Sequence, residues 1–357
     1  RERKNLYSFD IFDTLIARKV LEPVGIFYYV KGKMASCDID FPRFLTDQYP
    51  EIRAFCEQNV RLYYQKTMAS RHDMRKEIQF CEIFDRMKSL YGLSDQQIDL
   101  LKEWELEAEF ENTIPVDENI RNCLELVRAG EEVVLISDMY LPKDFIQRML
   151  AKVCPELTRL PLYLSSDLGW QKTTSMLYLE VYKNYNTQYD FHHWIHTGDT
   201  YHADYAMALS LGIIPRSVTR PEFNDYEKAL VEYIGTYDAY LIAARMCRFR
   251  LTHPNARQQF TYEYISLYLI PYVEWALNEA IRRGDQTLYF ISRDGYHLKR
   301  IADKLIEVNS YPIKTRYIYA SRRTWRIPSF IREIDEDFWG TYGNFTDITD
   351  YTKFLKA

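Results

Sequence analysis

A short apolar strand that ends in an aspartate constrains the fold of this chain more than any other feature. Residues 7–15 read Tyr-Ser-Phe-Asp-Ile-Phe-Asp-Thr-Leu, so Asp10 directly follows an apolar run. Open α/β sheets bind their ligands at the carboxyl ends of such buried strands. The same segment alone is equally compatible with an ordinary polar turn. Later segments must therefore decide between the two interpretations.

Three later segments favour an α/β sheet. Residues 132–137 form a second apolar run that ends in a serine, and a helical pattern begins at residue 172. Residues 194–204 form the third segment, which contains a Gly-Asp pair and a further aspartate. The carboxyl ends of neighbouring parallel strands share one crevice. The side chains expected to converge there are Asp10, Ser137, Lys172, Asp199 and Asp204.

The order of these segments resembles the haloacid dehalogenase (HAD) superfamily of phosphatases, phosphotransferases and dehalogenases. Its motifs are an aspartate-led loop, a Ser or Thr, a Lys and a Gly-Asp acidic cluster, and the resemblance covers about residues 5–220. It implies that Asp10 is the nucleophile and that Thr14 fixes the loop. It implies that Ser137 and Lys172 hold the phosphate of the substrate. The implied Mg²⁺ ligands are Asp10, the backbone carbonyl of Phe12, Asp199 and Asp204.

The chemistry of these residue types supports the same interpretation. A carboxylate that attacks a phosphoryl dianion is repelled, so a hard cation has to neutralise both groups, and clustered carboxylates are what Mg²⁺ accepts. A lysine and a hydroxyl can then donate to the transferring oxygens. The expected activity is an Mg²⁺-dependent phosphatase or phosphotransferase that acts through an aspartyl-phosphate on a small phosphorylated metabolite.

One departure from the family pattern leaves alternatives open. Phosphatases of the family usually carry a second aspartate two residues after the nucleophile, where this chain has Phe12. Phenylalanine can neither protonate a leaving group nor activate water. Turnover could be slow or could use Asp13 or a group from the cap. The alternatives are a catalytically impaired HAD-like binding or interaction module and a dehalogenase-like hydrolase.

The pattern along the first 220 residues predicts a Rossmann-like, doubly wound parallel α/β sheet with a helical cap. Strands and helices alternate after residue 115, while residues 18–115 read as helices throughout. The resemblance implies that this cap closes over the crevice and selects the substrate. Solvated helix charges are the favoured interpretation of its basic residues, and substrate contacts are the alternative. These residues are Arg53, Arg61, Lys66 and Arg71.

A second, partly helical α/β region is predicted for residues 221–357. Residues 226–250 and 260–283 read as long helices, with a kink expected at Pro271. Strands at 287–292 and 315–320 each end in an arginine-bearing turn. These turns could bind an anion in a second Rossmann-like crevice or pair with the acidic run at 333–337. The chain begins at Arg1, and the region is expected to be a truncated part of a longer protein.

The motifs of the two regions together resemble bacterial two-part HAD-like proteins associated with glycosyltransferases of surface-polysaccharide synthesis. The later motif is Phe-Ile-Ser-Arg-Asp-Gly at residues 290–295. The resemblance implies a sugar phosphate as the substrate in surface-glycan synthesis. It also implies a glycosyltransferase or a flanking domain as a partner.

Composition excludes several other classes of protein. A net charge of −5 argues against a nucleic-acid partner, and no apolar run is long enough to span a membrane. The six cysteines include no Cys-x-x-Cys pair, which is consistent with a reducing cytoplasm. His193 and His196 should face opposite sides of one strand, which argues against zinc. His202 is the histidine expected to touch the crevice.

Overall fold

The structure, a computed structural model, describes residues 5–68, 77–292, 294–320 and 325. The chain forms two compact units, Arg1–Pro254 and Asn255–Ala357. Each unit contains its own cluster of buried apolar side chains. Among the described helices, none combines the length and the apolar composition that a membrane-spanning segment needs.

A parallel sheet of five strands lies at the centre of the first unit. The strands of this unit are β1 (Leu6–Phe9), β2 (Ile16–Arg18), β3 (Thr113–Pro115), β4 (Glu132–Ser137), β5 (Leu162–Leu164), β6 (Trp194–Gly198) and β7 (Ile214–Ser217). The order in the sheet is β5-β4-β1-β6-β7, and every neighbouring pair is parallel. The strand that ends at Asp10 is therefore the central one. This arrangement confirms the predicted Rossmann-like α/β fold.

A helical insertion separates β1 from β4. Its two ends are joined by the antiparallel pair β2–β3, in which Ile16 lies opposite Pro115. The helices of the insertion are α1 (Pro23–Ser36), α2 (Arg43–Asp47), α3 (Tyr49–Met68), α4 (Phe80–Tyr91) and α5 (Asp95–Asn112). Gly92 ends α4 in the left-handed conformation, and Ser94 caps α5 by accepting from the Gln97 N–H. These helices fall in the range that the sequence predicted for the cap.

Helices cover both faces of the sheet. They are α6 (Asp117–Arg128), α7 (Lys143–Val153), α8 (Ser165–Leu168), α9 (Met176–Tyr185) and α10 (Met207–Ser210). On β4, Val133 and Leu135 belong to the same apolar cluster as residues of α6 and α7. Val134 and Ile136 belong to a second cluster with residues of α9. A strand that is buried on both faces has a continuous apolar sequence, and β4 could be predicted for this reason.

The first unit ends with two helices that the sequence assigned to the second region. They are α11 (Asp225–Ile234) and α12 (Tyr237–Thr252), separated at Gly235, whose φ is +61°. Ala243 and Cys247 of α12 are buried in the same apolar cluster as α1. The Arg248 guanidinium also donates to the backbone carbonyls of Arg18, the last residue of β2, and of Lys19. The compact units therefore divide at Pro254, beyond the boundary expected at residue 220.

The second unit contains a β-α-β motif. Its elements are α13 (Ala256–Phe260), α14 (Ser266–Arg283), β8 (Thr287–Ile291), α15 (Gly295–Asn309) and β9 (Lys314–Ile318), with a π-helical turn at Thr261–Ile265. Strands β8 and β9 are parallel, and α15 connects them. Helix α14 continues through Pro271. Arg293, residues 321–324 and the acidic run at 333–337 lie outside the described residues, so the predicted anion site stays a prediction.

Candidate active site

Asp10 lies at the carboxyl end of the central strand. Its backbone N–H donates to the Thr197 carbonyl at 2.8 Å, which continues the pairing of β1 with β6. The side chain is buried, with a relative exposure of 6%. Burial raises the pKa of Asp10, and the nearby Lys172 ammonium opposes that effect. The expected nucleophile is thus held in a largely dry environment.

Lys172 joins two carboxylates of the site. Its Nζ atom lies 2.6 Å from Asp10 Oδ1 and 2.5 Å from Asp204 Oδ1. Burial lowers the pKa of Lys172, but the charges of the two aspartates outweigh burial and raise it well above the usual value. The residue begins a 3₁₀ turn, Lys172–Thr174, ahead of α9, rather than the continuous helix that the sequence predicted. The ammonium is therefore charged and fixed between the two motifs.

The acidic cluster of the fourth segment follows β6. Asp10, Asp199 and Asp204 each offer a carboxylate oxygen within 4.8 Å of the others. Burial, followed by the charges of Asp13 and Asp204, raises the pKa of Asp199 to about 6. The Arg220 guanidinium lies 3.4 Å from Asp199 Oδ2. The negative charges of these carboxylates repel one another, and the cluster carries more negative than positive charge.

The backbone around Gly198 makes room for Asp204. A Cβ atom on Gly198 would lie 2.3 Å from Asp204 Cγ, so the aspartate side chain rests directly against the glycine. Asp204 lies in a π-helical turn, and its Oδ2 accepts the Thr200 N–H at 2.9 Å. Burial raises the pKa of Asp204, but Lys172 and a hydrogen bond from His196 outweigh burial and lower it. Asp204 is therefore ionised and firmly oriented.

The histidine that hydrogen-bonds within the site is His196, and the expectation that His202 touches the crevice stays a prediction. His196 Nε2 lies 3.1 Å from Asp204 Oδ1, whereas the His202 side chain is exposed. His193 lies in a 3₁₀ turn capped by Asp190 and does not lie on the strand. The sequence placed His193 and His196 by alternation along a strand, and His202 by its position in the acidic loop. His196 is buried because of the register of β6 against β1, and the residues around His196 in the sequence do not indicate that register.

Ser137 and Asp138 end the neighbouring strand β4. The Ser137 side chain is buried, and no described residue hydrogen-bonds to its hydroxyl, which leaves it available to a ligand. Asp138 accepts the backbone N–H of Lys172 with both carboxylate oxygens, at 2.8 and 2.9 Å. Burial raises the pKa of Asp138 to about 6, against the pull of Lys172. Sequence reasoning missed Asp138, although it directly follows the predicted Ser137.

The loop after Asp10 is fixed mainly through its backbone. The Thr14 carbonyl accepts the side-chain amide of Asn119 at 2.8 Å. The Thr14 hydroxyl is buried and has no partner among the described residues, so it does not fix the loop by a hydrogen bond. Asp13 adopts the left-handed conformation with φ of +55°, which aspartate tolerates better than most residues.

Phe12 occupies the position of the missing acid. Its ring is buried, and the Arg18 guanidinium lies over it at 4.9 Å from the ring centroid. Arg18 is itself held by a two-pronged ion pair with Glu109, at 2.8 and 2.9 Å. The backbone carbonyl of Phe12 accepts no hydrogen bond from a described residue, so it could ligate a metal. The side chain has a packing role only.

The donor set of the site fits Mg²⁺. Three aspartate carboxylates converge, and hard oxygen ligands of this kind suit Mg²⁺ rather than softer metals. One buried ammonium cannot balance three carboxylates, so a divalent cation would complete the charge balance. All four predicted segments meet at the carboxyl edge of the sheet. The fold is a Rossmann-like α/β sheet with a helical insertion after its central strand.

Comparison with solved structures finds distant similarities to HAD-family enzymes. The HAD family enzyme bt-2542 from Bacteroides thetaiotaomicron, solved as a magnesium complex, is 17% identical, with a TM-score of 0.39 over 62% of this chain and 96% of that chain. The L-2-haloacid dehalogenase from Xanthobacter autotrophicus with chloropropionic acid covalently bound is 10% identical, with a TM-score of 0.40 over 64% and 83%. No family model and no curated protein matches. Similarities this low say nothing about substrate.

Two of the four basic residues singled out in the insertion, Arg53 and Arg61, form internal ion pairs. Arg53 is fully buried and forms two hydrogen bonds with Glu105, at 2.8 and 2.6 Å. Arg61 pairs with Glu57 and Glu77. Arg53 is therefore neither a solvated helix charge nor a substrate contact. The Lys66 side chain is exposed, and Arg71 lies outside the described residues.

Glu77 connects the helical insertion to the loop that carries Lys172. Its Oε1 accepts from Arg61 of α3 at 2.7 Å. Its Oε2 accepts from the Ser165 hydroxyl at 3.0 Å and from the Gln171 amide at 3.1 Å. Gln171 directly precedes Lys172 in the chain. The insertion therefore contacts the backbone segment that carries the bridging ammonium.

Proposed function

We propose that this protein is an Mg²⁺-dependent HAD-like phosphatase or phosphotransferase that acts on a small phosphorylated metabolite. The observation that carries the proposal is the meeting of three carboxylates and one ammonium at the end of the central strand. Perturbed, buried titratable groups in a crevice are typical of catalytic sites. The fold alone would not support an activity.

Asp10 is the proposed nucleophile. One of its carboxylate oxygens attacks the phosphorus atom, and the bond from phosphorus to the leaving oxygen breaks, with its electron pair going to that oxygen. Water then attacks the phosphorus of the aspartyl-phosphate, releases inorganic phosphate and regenerates the carboxylate; in a phosphotransferase an acceptor hydroxyl replaces water. Bound Mg²⁺ would supply positive charge that offsets the repulsion between carboxylate and phosphate.

Lys172 and Ser137 are proposed to hold the transferring group. The lysine already orients Asp10 through a hydrogen bond of 2.6 Å, and the serine hydroxyl has no described protein partner. Both can donate to phosphoryl oxygens, whose negative charge is spread over three atoms in the transition state. Asp138 keeps the backbone of Lys172 in place, so the donors are positioned before the substrate arrives.

Asp13 is the proposed source of the proton that Phe12 cannot supply. It is the remaining carboxyl group of the loop, and no described residue donates a hydrogen bond to it. Burial raises its pKa, against the charges of Arg18 and Arg220, which suits a group that must be protonated to act as an acid. Asp13 also influences the pKa of Asp199, so its carboxyl group lies near the acidic cluster.

A cavity beside Asp199 could receive the rest of the substrate. Its volume is about 550 Å³, which is enough for a small metabolite. Thr200, Tyr201 and Arg220 contribute to its lining. Hydroxyl and guanidinium groups suit a hydroxylated, anionic molecule, and a sugar phosphate of surface-glycan synthesis is the class that we would test first. A glycosyltransferase or flanking domain as a partner stays a prediction.

Phe12 favours a second candidate, a site that binds a phosphorylated ligand without turnover. A buried phenylalanine under Arg18 removes the usual acid while leaving the metal ligands intact. A dehalogenase-like hydrolase is the remaining alternative, and it needs no cation.

A substrate screen with a matched pair of variants tests the proposal. Phosphate release from a panel of sugar phosphates and other phosphomonoesters is measured with Mg²⁺ and with EDTA. We expect Mg²⁺-dependent release that Asp10→Asn lowers by about 1,000-fold or more. The control is Asp99→Asn, which changes an exposed aspartate of α5 and should leave the rate unchanged.

The outcomes separate the three functions. Phosphate release that needs Mg²⁺ and Asp10 supports the proposal. Absence of release from every phosphomonoester, with Mg²⁺-dependent binding of inorganic phosphate, supports the binding module. Halide release from 2-haloacids in the presence of EDTA supports the dehalogenase. An active Asp10→Asn variant contradicts the assignment of the nucleophile.

A further inference from the structure

A chain of buried hydrogen bonds runs from the interior of the sheet to the acidic cluster. The Trp194 indole Nε1 lies 2.7 Å from Ser8 Oγ, and Ser8 Oγ lies 2.7 Å from His196 Nδ1. On the other side of the imidazole, Nε2 lies 3.1 Å from Asp204 Oδ1. Trp194, Ser8 and His196 are completely buried, with relative exposures of 0%. Strand pairing fixes the geometry, because Ser8 lies opposite His196 in the β1–β6 register.

The chemistry of the first member sets the direction of the whole chain. An indole N–H can only donate, so Ser8 Oγ accepts from Trp194. The hydroxyl proton of Ser8 then needs an acceptor, and among the described residues His196 Nδ1 is the group within reach. Leaving a buried donor unpaired would cost about 1–3 kcal/mol. His196 Nδ1 is therefore the acceptor and carries no proton.

The other ring nitrogen must then carry the proton. Neutral imidazole has one N–H, and with Nδ1 unprotonated it is located on Nε2. Asp204 Oδ1 is an acceptor that also binds the Lys172 ammonium, so a lone pair on Nε2 would face negative charge. The hydrogen bonds thus select a neutral Nε2–H imidazole that donates to Asp204.

We propose that His196 is a positioning residue that, held in this tautomer by Trp194 and Ser8, orients the Asp204 carboxylate for Mg²⁺. This inference rests on the proposed function, because it assigns His196 a role at the proposed metal site. His196 and Lys172 donate to Oδ1, while the Thr200 N–H donates to Oδ2. Hydrogen bonds to ligating carboxylates orient them, and losing such a partner typically weakens metal binding 10- to 100-fold.

Two amide substitutions separate positioning from simple packing. The side-chain nitrogen of glutamine reaches about as far as histidine Nε2, and that of asparagine reaches only about as far as Nδ1. His196→Gln can therefore still donate to Asp204, whereas His196→Asn places its amide toward Ser8. We expect His196→Gln to bind Mg²⁺ within about threefold of the wild type and His196→Asn to bind it about 10- to 100-fold more weakly, measured by titration calorimetry.

The tautomer is measured on the wild-type protein, independently of activity. In protein labelled with ¹⁵N-histidine, the spectrum of His196→Gln identifies the resonances of His196 among the seven histidines. We expect a protonated Nε2 and an unprotonated Nδ1 at pH 7. Trp194→Phe removes the donor that fixes Ser8, and we expect it to give a mixture of the two neutral tautomers.

The results that would overturn the inference are specific. A protonated Nδ1 in the wild type, or equal Mg²⁺ affinities of the Gln and Asn variants, refutes it. A wild-type protein that binds no Mg²⁺ refutes the metal site of the proposed function and, with it, the orienting role of His196. In that case the wild-type spectrum still decides whether the hydrogen-bond chain is directed as described.

Discussion

Removing the buried guanidinium of Arg53 should strongly destabilise the first unit. Arg53 lies on α3, is completely buried and makes two short hydrogen bonds with Glu105 on α5. It also donates to the Tyr140 hydroxyl at 3.2 Å and lies over the Phe27 ring at 4.7 Å. The change Arg53→Met keeps most of the apolar volume and leaves Glu105 as an unpaired charge in the core.

The expected loss follows from that unpaired charge. Breaking a buried ion pair by removing one partner costs about 3–5 kcal/mol, while an exposed pair contributes about 0–1 kcal/mol. We therefore expect Arg53→Met to lower the free energy of unfolding by about 3–5 kcal/mol. With an m-value of about 3 kcal/mol/M, the urea midpoint would fall by at least about 1 M.

Urea unfolding of matched variants measures this loss. Arg43→Met is the control, because the Arg43 side chain is 94% exposed and lies 3.6 Å from Asp47. It should change the free energy of unfolding by less than about 1 kcal/mol. The double variant Arg53→Met with Glu105→Met removes both charges and should recover much of the loss. Equal midpoints for Arg53→Met and Arg43→Met would refute the argument.

Two further predictions concern the site itself. Gly198→Ala should weaken Mg²⁺ binding in titration calorimetry, because its Cβ would lie 2.3 Å from Asp204 Cγ and displace that carboxylate; an unchanged affinity would contradict this packing. Burial raises the pKa of Asp138 to about 6, so the folded protein holds a proton that the unfolded chain has lost. The resulting stability is complete below about pH 4 and is lost as the pH rises through about 6, by about 3 kcal/mol relative to Asp138→Asn. Urea unfolding of both proteins from pH 4 to 8 measures this difference, and parallel curves would count against the raised pKa.

The parts of the site that the sequence predicted are those with a local signal. A strand buried on both faces is a continuous apolar run, and a polar residue at its end marks the functional edge of a parallel sheet. Asp10, Ser137 and Asp199 each follow such a run, and the structure brings their strands side by side. Their positions needed no knowledge of distant contacts.

The parts that the sequence could not predict depend on long-range pairing. His196 faces Ser8 and Asp204 only because β6 adopts one particular register against β1. Arg53 has the sequence context of a solvated helix charge, and its burial becomes visible only with Glu105 in place, 52 residues away. Similarly, α12 has apolar residues that could pack in either region. Its residues share an apolar cluster with α1, so the helix belongs to the first unit.

The β2–β3 ribbon has a consequence for engineering. The chain leaves the sheet domain at Ile16 and returns at Pro115, which lies opposite Ile16. The two ends of the helical segment are therefore adjacent, and the segment is attached at one place. A different insertion could be grafted between these neighbouring ends without changing the order of the strands in the sheet. The graft would also need a surface that accepts α12, whose Tyr240 stacks on Tyr28 of the present segment. Chimeras built on this rule would test whether the proposed activity can be redirected to new compounds.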